Sequence, residues 1–179
     1  MITITAGAGN ISMPNNRIIT RTALLLALTL LFQSLRLFIP IPPFLSSFII
    51  GSLVNACLLV AAEKAGFWSG FFIAMIVPIA AYFQMMLPIP VFIIPVALGN
   101  LAYICLFLFA GKWWGRLTGI TLAALGKAGL VYAAFTWLLS FIAIPTKIAA
   151  GIMLAMSWPQ LVTGVVGGLL ASIVVKRIQ

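Results

Sequence analysis

The chain has no aspartate and no histidine, and Glu63 is the only side-chain carboxylate in 179 residues. These absences exclude much chemistry. A zinc or di-metal hydrolytic centre, a Ser-His-Asp triad and a pair of carboxylates for acid/base catalysis all need side chains that are missing. The same lack removes the intramembrane Asp/Glu/His relay expected of a proton-driven pump. No GxxxxGK[ST] phosphate loop occurs, so the chain does not hydrolyse ATP by that route. The reading is therefore not an enzyme, with no cofactor and no metal. Two cysteines, Cys57 and Cys105, fall inside apolar runs and read as small buried hydrophobes rather than a disulfide.

Charge is scarce as well: 6% of residues are charged and 64% are hydrophobic. A soluble domain carries about 25% charged residues, so the composition predicts an all-α polytopic membrane protein. The net charge of +9 is not a nucleic-acid footprint. Nucleic-acid binders cluster Lys and Arg on one polar face, whereas here basic residues punctuate hydrophobic runs as juxtamembrane anchors do.

Residues 1–16 are small and polar, with Gly7, Gly9 and Pro14, and lack the order of a cleavable signal peptide. They read as a disordered cytoplasmic tail before a single transmembrane domain, residues 17–179. Six apolar segments follow, at about residues 18–38, 47–62, 67–86, 91–110, 117–144 and 148–175, predicting a compact six-helix bundle. Proline-rich turns separate several of them, and Gly111-Lys112-Trp113-Trp114-Gly115-Arg116 reads as an interfacial loop. With six spans both termini share a side. That side collects Arg17, Arg21, Lys64, Lys112, Arg116, Lys176 and Arg177, against Arg36 and Lys147 on the other. The positive-inside bias makes both termini cytoplasmic.

Lys127 stands out. It lies about ten residues into the fifth segment, roughly 15 Å deep and close to the midplane of a hydrocarbon core of about 30 Å. An ammonium at that depth costs roughly 2.5–3.5 kcal/mol and is too deep to snorkel, so a polar cavity, a partner or an anionic ligand must offset it. Asn55, Asn100 and Trp158 count to similar depth, Gln160 flanks Trp158, and Gln84 and Arg36 lie toward the outer ends of their segments. Two readings stand side by side: amide glue between helices, or a cavity open to the outside that binds a small molecule. In the second, Trp158 offers a stacking face, the amides offer hydrogen bonds, and Lys127 and Arg36 offer positive charge. With no acid to neutralise a cation, the ligand is neutral or anionic. Small residues four apart, Ala23/Ala27 and Gly164/Gly168, mark faces where helices approach closely; internal packing is the preferred reading for the glycines.

Taken together, the size, the six spans, Arg21-Thr22-Ala23-Leu24-Leu25-Leu26-Ala27, the proline-rich first loop and Leu98-Gly99-Asn100 resemble the substrate-binding S components of energy-coupling factor (ECF) vitamin transporters. The resemblance runs from about Arg17 to the C-terminus and leaves the substrate subfamily unassigned. It implies a protein of the prokaryotic plasma membrane that captures a vitamin-like micronutrient from outside. It further implies docking, through Ala23 and Ala27, on a membrane coupling subunit that carries two cytoplasmic ATPases. It implies that Asn100, Lys127, Trp158 and Gln160 face the ligand, with residues 38–44 and 87–90 as a lid. The competing readings are a solitary permease or channel working as a homo-oligomer through Gly164/Gly168, and a non-transporting membrane scaffold.

Overall fold

The structure is a computed structural model that describes residues 16–38 and 42–178, except for the side chains of Pro43 and Phe44. Seven α-helices account for nearly all of it: α1 Asn16–Phe38, α2 Pro43–Lys64, α3 Phe67–Phe83, α4 Ile93–Trp114, α5 Arg116–Leu139, α6 Thr146–Ala155 and α7 Trp158–Arg177. A single 3-10 turn, Pro90–Phe92, leads into α4. Five stretches are long and apolar enough to cross a membrane when α6 and α7 are taken together, and α3 is a shorter apolar helix. The expected tail lies outside the described residues apart from Asn16, which begins α1.

Local sequence explains where the helices start and stop. Proline at the first position of α2 has no N–H to lose and its φ suits a helix, so α2 begins at Pro43, earlier than the expected start at about 47. Its end is set by Gly66, at φ 97°, and the end of α4 by Gly115, at φ 86°. Nothing crowds either position, so the backbone conformation and not space demands glycine there. This corrects the expected loop at 111–116: α4 runs on through Lys112, Trp113 and Trp114, and Gly115 alone makes the turn. α3 stops at Phe83 rather than about 86, at a turn in which Met85 takes φ 59°. Its 17 residues reach about 25 Å, short of a core of about 30 Å.

The larger departure is in the last segment, expected as one helix over about 148–175. Pro159 lacks an N–H and its ring clashes with the carbonyl four residues back, which favours a break just before it. The chain breaks at Met156 and Ser157, and α7 restarts with proline in its first turn.

α2 is the central element. It packs along α7 and also against α1, α3 and α4, while α4 lies along α5 and α5 along α7. The core holds Leu58 and Leu59 of α2, Ile73 of α3, Tyr103 and Ile104 of α4, and Ala123 and Ala124 of α5, all fully buried. Close approach depends on glycines of α7. A Cβ at Gly164 would meet Ala124 at 2.9 Å, and one at Gly168 would meet Ile120 at 2.4 Å, so this pair packs inside the bundle. α5 already occupies the face that Gly164 and Gly168 present. On the other side of α7, a Cβ at Gly167 would lie 2.6 Å from Asn55 Cβ and 2.7 Å from the Ser52 carbonyl oxygen of α2. Ala23 and Ala27 are exposed on α1, beside Leu24 and Leu28. Both cysteines are free; Cys57 is buried as expected, but Cys105 faces outward from α4.

One end of the bundle is tied by charge. Arg116 holds Glu63 through two bonds, at 2.7 and 2.9 Å, and donates from Nε to Ser172 Oγ at 2.6 Å. Its guanidinium also lies 5.5 Å from the Phe107 ring centroid. One side chain thus joins the end of α2, the start of α5 and the last third of α7. Arg21 reaches the Lys64 carbonyl at 3.4 Å at the same end.

The Gly167 contact is tested by substitution. Gly167→Ala forces backbone against backbone and should cost about 1–3 kcal/mol, read as a lowered melting temperature of the purified protein. Gly151→Ala, where nothing lies within 4 Å, should leave stability unchanged or slightly raised.

Candidate ligand cleft around Lys127

Lys127 lies on the buried stripe of α5 with Ala123, Ala124 and Val131. The stripe faces α4, where Asn100 and Tyr103 fall on the buried side, and it reaches Asn55 of α2. The lysine residue is 4% exposed, and Asn55 and Asn100 are 2% exposed each. Lys127 Nζ donates to Asn55 Oδ1 at 2.5 Å and to Asn100 Oδ1 at 2.8 Å. The Tyr103 ring centroid is 5.4 Å from the same nitrogen.

A lysine has donors only, so both amides must turn their oxygens toward it and their NH₂ groups away. Asn55 Nδ2 then donates to Thr163 Oγ1 at 3.3 Å, and Thr163 in turn donates to the Gln160 carbonyl at 3.2 Å. Asn100 Nδ2 has no acceptor among the described residues, and the third N–H of Lys127 has none either. Tyr103 adds a further tie to α7, donating its hydroxyl to the Gly164 carbonyl at 2.5 Å. The network joins α2, α4, α5 and α7.

These residues line a cleft of about 210 Å³ together with Arg36, Gln33 and Gln160. Much of the remaining wall is apolar, including Val54, Val77, Val96 and Met156. Arg36 donates to Ser47 Oγ at 3.2 Å, and its Nε is buried without a partner among the described residues. Gln33 donates to the Val77 carbonyl at 3.2 Å, and its Oε1 is buried with no donor among the described residues. No carboxylate lines the cleft, since Glu63 is held by Arg116 on the tied end of the bundle.

Of the seven residues expected to face a ligand, the structure brings Asn55, Asn100, Lys127, Gln160 and Arg36 to this cleft and leaves two outside it. Trp158 is 50% exposed and stacks on Phe48, with ring centroids 5.4 Å apart. The depth count that placed it beside Lys127 assumed an unbroken last span; the break makes it the first residue of α7. Gln84 turns to α1, donating to Ser34 Oγ at 3.0 Å, and the turn after Phe83 carries it away from the cleft. Gln160 lines the cleft but spends its amide on the break, donating weakly to the Ala155 carbonyl at 3.4 Å. The expected lid is half visible: Leu87 is buried in the cleft wall, and residues 39–41 lie outside the described residues.

Gln33, a polar residue at the outer end of the first span, also lines the cleft, and Thr163 completes the wall without having been singled out. Gln160, Thr163, Gly164 and Gly167 share one face of α7 by helical spacing, and that small-polar stripe was a signal available in the sequence. No protein-family model, curated protein or solved structure matches the chain.

Thr163→Val keeps the shape but removes the acceptor for Asn55 Nδ2. Leaving that donor unpaired should cost about 1–3 kcal/mol. Thr163→Ser, which keeps the hydroxyl, should restore most of the loss; thermal unfolding of the two variants measures both.

Proposed function

We propose that this chain is a membrane-embedded capture subunit that takes a small neutral or anionic molecule from outside the cell and passes it inward with the help of an ATP-driven partner. The observation that carries the reading is the cleft itself: an ammonium held by two amide oxygens in its wall, an arginine beside it, and no acid within reach. A lysine serving only as glue would have its donors used up by carbonyls in a sealed contact; here one N–H remains over beside open space.

In this reading six helices cross the plasma membrane, α3 among them, with α6 lying on the outer side and both termini cytoplasmic. The arginine-rich tied end, with Arg21, Lys64 and Arg116, is then the cytoplasmic face, in keeping with the positive-inside rule. The chain supplies no ATPase. The resemblance to ECF S components supplies one: a coupling subunit with two cytoplasmic ATPases, docked on the Ala23/Ala27 face of α1. That face is exposed and apolar, as a docking face needs to be.

Two outcomes test the proposal. Lys127→Ala should weaken binding of the co-purified small molecule roughly tenfold or more, the loss of a charge-assisted bond worth about 1.5–3 kcal/mol, with folding retained. Native mass spectrometry of wild type and variant reads the occupancy, and a lost fold with unchanged occupancy in the surviving protein would favour helix glue. Ala27→Trp should keep binding and abolish uptake into cells; unchanged uptake removes α1 as the docking face.

A further inference from the structure

On the capture reading, the donors and acceptors of the cleft wall define the class of ligand. We infer that the ligand is a compact organic carboxylate, a body of about one ring, whose anionic group sits against Lys127 and Asn100. The third N–H of Lys127 and the amide NH₂ of Asn100 have no acceptor among the described residues, and both residues are almost wholly buried. Both residues line the cleft, so a bound molecule can accept from them there. Two donors side by side, one of them charged, suit the two oxygens of a carboxylate.

A second observation comes from the break in the last span. It places the first turn of α7, through Pro159 and Gln160, in the same wall. A helix start carries about half a positive charge, which favours an anionic group beside it. Arg36 adds a second cation on the cleft, its Nε without a partner among the described residues. Glu63, the chain's only acid, is 53 residues from Arg116 in sequence yet paired with it, so it cannot serve as counter-ion here. A ligand that brings a negative charge would supply the counter-ion that the cleft wall lacks.

Size and surface narrow the class. A cleft of about 210 Å³ falls below the roughly 300–1,000 Å³ of sites for drug-sized ligands. Its wall is largely apolar, which favours an organic body over a hydrated inorganic anion.

Benzoate, benzamide and benzamidinium share one shape and carry charges of −1, 0 and +1. Each is added to the purified full-length protein at constant ionic strength, with sodium chloride and sodium phosphate as inorganic arms, and the melting temperature is read. Benzoate should raise it and the other four should not. Asn100→Asp puts a carboxylate against the ammonium in place of the Asn100 amide and removes the NH₂ that the ligand would use. It should raise the melting temperature without any addition and abolish the benzoate shift, and Lys127→Met should abolish that shift as well. A lowered melting temperature for Asn100→Asp overturns the inference, because it means the ammonium needs no further negative charge. So does any arm that matches or exceeds benzoate: benzamide means a neutral ligand, benzamidinium a cation, chloride or phosphate an inorganic anion. A neutral molecule co-purified in the native mass spectrum would likewise overturn the carboxylate while leaving the capture reading intact.

Discussion

An ammonium buried between helices needs negative partners, and this chain meets that need with dipoles instead of charges. Lys127 draws the side-chain oxygens of Asn55 and Asn100 onto itself, and the orientation of both amides follows from that one demand. Because the amides come from α2 and α4, the lysine fixes how α5 lies against both. The amide of Asn55 hands the constraint on to α7 through Thr163. Two carbonyl dipoles compensate a full charge only in part, and the residue of that imbalance is the property on which the cleft's chemistry rests.

The opposite end of the bundle handles charge in the opposite way. Arg116 takes up the only carboxylate, a serine hydroxyl and an aromatic face, and so has full partners from three directions. The Glu63 and Arg116 side chains are about 30% exposed, so the pair keeps some water and avoids the full desolvation cost of a buried ion pair. One end is therefore electrostatically closed, and the region of Lys127 and Arg36 is electrostatically open. An asymmetry of this kind suits a molecule that receives something at one end and is held together at the other.

The break between α6 and α7 shapes the cleft more than any other backbone feature. The helix restarts with Pro159 in its first turn, and the restart brings Pro159 and Gln160 into the wall and Trp158 against Phe48. The glycines that follow let α7 settle against α2 and α5 at once, Gly167 against Asn55 and Gly168 against Ile120. Without that close approach Thr163 would stand too far from Asn55 to accept its hydrogen bond. Backbone punctuation and side-chain chemistry thus depend on the same short run of residues.

The amino-acid sequence by itself determined the helical, lipid-compatible character of the chain, most helix ends, and the demand raised by Lys127, because hydropathy, proline and glycine act locally and an isolated charge is conspicuous among apolar residues. It also made Asn55, Asn100, Gln160 and Arg36 visible as polar residues at plausible depth. Counting residues along an assumed straight helix misplaced Trp158 and Gln84, since one break or one turn alters both depth and facing. Which amides meet the lysine, and that Arg116 takes Glu63, was decided only by tertiary packing. Those pairings join residues 27 to 72 positions apart, and nothing in a one-dimensional pattern fixes how helices rotate about their axes against one another.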